Sequence, residues 1–80
     1  MSKTIKLPNL EAVQEFVKNA EATGDSVIVS KEGFKYQIDG TSIMGMLTVM
    51  GEKLKVDYMC ESMKFKKMLE KYCISDWITV

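Results

Sequence analysis

The sequence predicts an α+β domain with helices packed on one face of an antiparallel sheet. Three observations carry this. Apolar residues switch repeatedly between a two-residue and a helical period, giving the order βαββαβα. The second and third strands are separated only by a short turn at Lys31-Glu32-Gly33 and so form a hairpin, whereas helices separate the others. At 80 residues, the chain buries only roughly 60% of the surface its unfolded form exposes, so residues 1–80 form one domain around one thin core.

Thr4-Ile5-Lys6-Leu7 alternates polar and apolar like a strand with one buried face, and Pro8, which has no N–H to give a ladder, ends it. Asn9 then stands before Leu10, Val13, Phe16, Val17 and Ala20, which share one face at helical spacing. Asn9 is a good N-cap, the helix runs to about Ala22, and Gly24 stops it. Val27-Ile28-Val29 is a short β-branched strand, and Phe34, Tyr36 and Ile38 alternate with Lys35, Gln37 and Asp39 as its hairpin partner.

Gly40 leads into a short apolar helix, Ile43 to about Val49, with Ser42 as N-cap and Gly51 as terminator. That segment holds more apolar side chains than one buried face can take. If Met46 and Val49 point inward, Ile43, Met44 and Leu47 turn toward the side or the solvent. Leu54, Val56, Tyr58 and Cys60 alternate with Lys55, Asp57 and Met59 as a fourth strand. Ser62 caps a last helix with Phe65, Met68, Leu69 and Tyr72 inward. In the tail, 74–80, Trp77 is too large to leave wet without reason, so the tail is expected to fold back on the body or meet a partner.

Eleven basic residues balance eleven acidic ones, which gives no support to a nucleic-acid footprint or to attraction by an anionic membrane. The partner expected is a protein or a small molecule. Cys60 and Cys73 are too few and too far apart for a metal cluster, and the chain has no histidine to complete one. They are expected as core thiols, with no metal and no cofactor bound. The segment Met1-Ser2-Lys3-Thr4 lacks an apolar signal core, and no run approaches the roughly 20 apolar residues of a membrane span. A cytoplasmic location with reduced thiols is expected.

Ser42-Ile43-Met44-Gly45, preceded by a hairpin and followed by a strand and a helix, resembles the serine region of the HPr family, the phosphocarrier proteins of the bacterial sugar phosphotransferase system. The order of elements is similar from about Thr4 to Tyr72, with weaker likeness from Phe16-Val17 through Val27. The resemblance implies an open-faced β-sandwich with strands in the order one, four, two, three. It also implies a histidine that carries a phosphoryl group and a serine phosphorylated by a dedicated kinase. In this pattern the chain usually ends with the last helix, so the tail 74–80 departs from it.

Aligning Phe16-Val17 and Ala20 with the family's first helix puts Asn9 at the phosphoacceptor histidine and Glu11 at its supporting arginine. An amide is not a usable phosphoryl nucleophile, and a carboxylate in the first turn already occupies the positive end of the helix dipole. No catalytic residue is therefore assigned, and the preferred reading of Asn9 and Glu11 is that they cap and stabilise the helix. Ser42 matches the regulatory phosphorylation site, although a serine there is also simply a favoured cap. Ile43, Met44 and Leu47 match positions through which HPr proteins meet their partners, and the flexible thioether of methionine suits such a surface, but Met44 could equally be core.

The leading expectation is a regulatory or adaptor protein, not an enzyme. It would bind a protein partner such as a transcriptional regulator, an HPr kinase or a phosphotransferase-system enzyme. The catabolite-repression HPr homologue, which keeps the regulatory serine and lacks the histidine, is a member of this kind by resemblance. Glu11, in place of an arginine, changes the charge of that interface. The alternatives are a phosphocarrier using Asp25, Asp39 or a cysteine, and a homodimeric module joined through Met44 or Trp77. A monomer or a weak homodimer is consistent with the first reading.

Overall fold

A computed structural model describes residues 2–31, 36–59 and 62–74. Four strands and three helices follow the expected order: β1 (Ser2–Lys6), α1 (Leu10–Thr23), β2 (Val27–Lys31), β3 (Gln37–Asp39), α2 (Ile43–Leu47), β4 (Lys53–Tyr58) and α3 (Met63–Tyr72). The strands lie in one sheet in the order β1-β4-β2-β3, every neighbouring pair antiparallel. β1 and β3 are the edge strands, and β4 inserts between β1 and β2.

Strand alternation makes the sheet two-faced. Ile5, Val29, Val27, Ile38, Leu54, Val56 and Tyr58 point to the helix side and are buried. The opposite face stays open and carries polar rungs, such as Thr4, Lys55, Ser30 and Gln37 across all four strands. The helices supply the other half of the core: Ala12, Val13, Phe16, Val17 and Ala20 from α1, Met46 from α2, and Phe65, Met68 and Leu69 from α3. Phe65 anchors this layer. Its ring lies 5.9 Å from that of Phe16 and edge-on to Tyr58 at 5.5 Å, an arrangement aromatic quadrupoles favour. Among the described residues, no polar or charged one is buried.

Several expectations are corrected. Leu10 is 48% exposed, not inward, because it stands in the first turn of α1 at the rim of the buried arc, where Ala12 takes the inward place. Tyr36 is exposed, since β3 begins only at Gln37 and the ladder with β2 stops at the Ser30–Gln37 pair. The α2 helix ends at Leu47, not Val49, and the chain continues in i→i+3 bonds from Thr48 to Gly45, Val49 to Met46 and Met50 to Leu47. Cys73 is exposed, not a core thiol: it follows the last turn of α3, bridging to Ile5. Tyr72 is half-buried, its ring packed on the core while its hydroxyl reaches outward. The turn at Glu32-Gly33, Phe34, Cys60 and the Trp77 tail lie outside the described residues.

Candidate functional site

Two helix starts, those of α1 and α2, carry the residues singled out in the sequence. At α1, Asn9 is extended (φ −152°, ψ 176°), and its Oδ1 accepts the Ala12 N–H at 2.9 Å while its carbonyl accepts from Val13. The amide oxygen is thus committed to capping. Glu11 is exposed in the first turn, where the unpaired N–H groups favour a negative charge.

At α2, Ser42 Oγ accepts the Gly45 N–H at 3.3 Å, and the Ser42 N–H donates to the Asp39 carbonyl. The Asp39 carboxylate accepts both the N–H and the hydroxyl of Thr41, and these two bonds, the backbone one foremost, hold its pKa below the ordinary value. Two glycines set how close this corner comes to the sheet. A Cβ on Gly40 would meet Val27 Cγ1 at 2.8 Å, and one on Gly45 would meet Ile38 Cγ2 at 2.8 Å. Gly45 therefore allows α2 to rest directly on β3, which fixes where Ser42 stands. At the far end, Gly51 takes a positive φ of 82° and donates its N–H to the Leu7 carbonyl at 2.8 Å. That bond ties the turns after α2 to the chain entering α1.

The outer side of α2 is apolar. Met44 is 77% exposed, and Ile43 and Leu47 are also exposed at the spacing of one helix face, while Met46 is fully buried against the core. The side chain of Met44 is thus surface, which decides between the two places open to it in the sequence. Leu10 and Met50, not included among the candidates, add exposed apolar surface at the two chain segments joined by the Gly51–Leu7 bond. Leu10 was hidden by its helical phase, which matches that of Val17. Among the described residues, no group of three or more His, Cys, Asp or Glu side chains is placed to hold a metal ion, and no helix is long and apolar enough to cross a membrane.

This architecture matches solved structures. The crystal structure of HPr-C-His from Thermoanaerobacter tengcongensis superposes with a TM-score of 0.66 at 21% identity, over 89% of this chain and 88% of that one. The chain has the HPr fold. A phosphocarrier protein HPr from Bacillus anthracis str. Ames superposes with a TM-score of 0.58 at 18% identity, over 89% of each chain. No protein-family model matches the sequence, and no curated protein matches it. At this identity the HPr likeness is one of fold.

A second cluster joins the helices on the other side. Glu15 of α1 accepts from Lys71 Nζ at 3.1 Å and from the Tyr72 hydroxyl. The Tyr72 bond first, then that of Lys71, lowers the Glu15 pKa, while bonding to Glu15 raises those of Lys71 and Tyr72.

Proposed function

We propose that this protein is a non-carrier regulatory or adaptor protein related to the phosphotransferase system, acting by protein binding at the α2 corner. One observation carries the reading: Ile43, Met44 and Leu47 stand exposed beside the hydroxyl of Ser42 on an HPr fold. A soluble domain gains nothing in stability from a solvent-facing Met44, whereas a docking surface uses it. Ser42 is then the regulatory phosphorylation site. A phosphate there would add nearly two negative charges at the rim of the apolar patch, changing which partner binds without disturbing the core.

Carrier chemistry is disfavoured at the other helix start, that of α1. The chain contains no histidine, and Asn9 and Glu11, which take the family's histidine and arginine positions by resemblance, are an amide engaged in capping and an acid. The partners proposed are an HPr kinase, a phosphotransferase-system enzyme or a transcriptional regulator, met in the cytoplasm by a monomer or weak homodimer. The test has two arms. Incubated with enzyme I and phosphoenolpyruvate, the protein should keep its mass; incubated with an HPr kinase and ATP, it should gain one phosphate on Ser42 and none as Ser42→Ala. An acid-labile phosphoprotein in the first arm would return it to the carriers.

A further inference from the structure

Exposure separates the described methionines into two sets. Met44, Met59 and Met63 are 77%, 86% and 65% exposed and Met50 is 42%, whereas Met46 and Met68 are at most 5% exposed. The five-residue α2 thus carries one methionine in water and, two positions on, one sealed in the core. We propose that Met44 is an oxidation site whose sulfoxide switches off docking at the α2 corner, an inference that rests on the docking role proposed above.

The chemistry needs a peroxide as oxidant. The thioether sulfur attacks one peroxide oxygen, the O–O bond breaks, and that oxygen stays on sulfur as a sulfoxide. The other leaves as water from hydrogen peroxide, or as an alcohol from an organic peroxide. Sulfur loses two electrons and the peroxide gains them. A methionine sulfoxide reductase, using thiols, reverses the step. The product is a strongly polar S=O group in the middle of the patch formed with Ile43 and Leu47. A partner that covered it would bury an oxygen with no assured donor. The fold is untouched, because the outward Met44 contributes nothing to the core, while the buried Met46 holds α2 on the sheet and is shielded from the reagent. Outward placement and chemical reactivity coincide at Met44, which a leucine there would not provide.

The full chain treated with hydrogen peroxide should show sulfoxide by peptide mapping at Met44, Met59 and Met63 first, at Met50 later, and at Met46 and Met68 last. Samples taken once Met44 is oxidised and Met50 is not are compared with the same protein before treatment. The readouts are retention on a phenyl resin and the rate of Ser42 phosphorylation by an HPr kinase. The parent chain and the double variant Met59→Leu, Met63→Leu should lose both on oxidation. The triple variant Met44→Leu, Met59→Leu, Met63→Leu should keep its own untreated values. An unoxidised Met44 in the parent chain when Met59 is complete, or a loss in that triple variant equal to the loss in the double variant, overturns the inference. If the kinase ignores even the untreated protein, the Ser42 reading fails, and retention alone still decides the sulfoxide.

Discussion

Gly45 sets the position of the α2 corner by what it lacks. Replacing a helical glycine by alanine ordinarily stabilises by up to about 1 kcal/mol. Here the new Cβ would lie 2.8 Å from Ile38 Cγ2, a methyl on a stiff β-branched side chain that is buried and has nowhere to retreat. Overpacking of that kind costs about 1 to 3 kcal/mol, so Gly45→Ala should be a net loss of about 1 kcal/mol, measured by urea midpoint at constant slope. A gain in midpoint would mean that α2 does not rest on β3. Phe16 offers the opposite test, of removal. It is fully buried and touches the Phe65 ring, so Phe16→Ala should cost about 3 to 5 kcal/mol. In a domain of this size each 1 kcal/mol moves the melting temperature by roughly 4–8 °C. A shift of a degree or two would show that α1 presents a different face.

Elements are fixed at their ends by local chemistry and between their ends by distant residues, and the sequence shows only the first kind. Asn9, Ser42 and Ser62 each cap a helix by accepting, through a side-chain oxygen, the backbone N–H three residues on, an interaction contained within one turn and so readable from residue type alone. Asn9→Ala should cost about 1 kcal/mol through the lost bond to Ala12. The last turns were harder to read. Val49 looks helical by period, but the chain had already tightened to i→i+3 bonds to reach Gly51 and the Leu7 carbonyl. Tyr36 alternates with Ile38 as a strand should, yet the β2–β3 ladder stops at the Ser30–Gln37 pair, one residue short of it. Least legible is the bond network of Glu15 with Lys71 and Tyr72, whose members are separated by more than fifty positions. It gives a pH test. The Glu15 pKa is lowered on folding, so its contribution is present above the ordinary carboxylate range and is lost as pH falls through the lowered value. Lys71 and Tyr72 are raised, so theirs is present below their ordinary values and is lost as pH rises through the raised ones, in strong alkali. Because Lys71 is solvent-exposed, the effect is screened and small. Glu15→Gln should flatten the acid limb of the stability–pH curve; an unchanged limb would show that the three groups do not interact in solution.

At the scale of the whole molecule, the order β1-β4-β2-β3 puts the late strand β4 at the centre of the sheet, so the fold closes only when residues 53–58 have joined β1 and β2. The two interior strands have a hydrogen-bonded neighbour on each side and hold Val27, Val29, Leu54 and Val56, all at most 1% exposed. The three-residue β3 has one neighbour and a single buried side chain, Ile38. Opening free energy follows buried apolar contact and pairing, so amide exchange should fall into two tiers. The amides of β2 and β4 that bond across to each other should exchange only through global unfolding. Those of β3 and the turns after α2 should exchange through local opening that leaves the aromatic core intact. The distinction matters for the proposed site, because α2 hangs between β3 and the Gly51–Leu7 bond and would inherit their lower stability. A partner docking on Ile43, Met44 and Leu47 should therefore slow exchange at α2 and β3 while leaving β4 unchanged. Equal protection across all four strands in the free protein would remove that separation and make the α2 corner as rigid as the core.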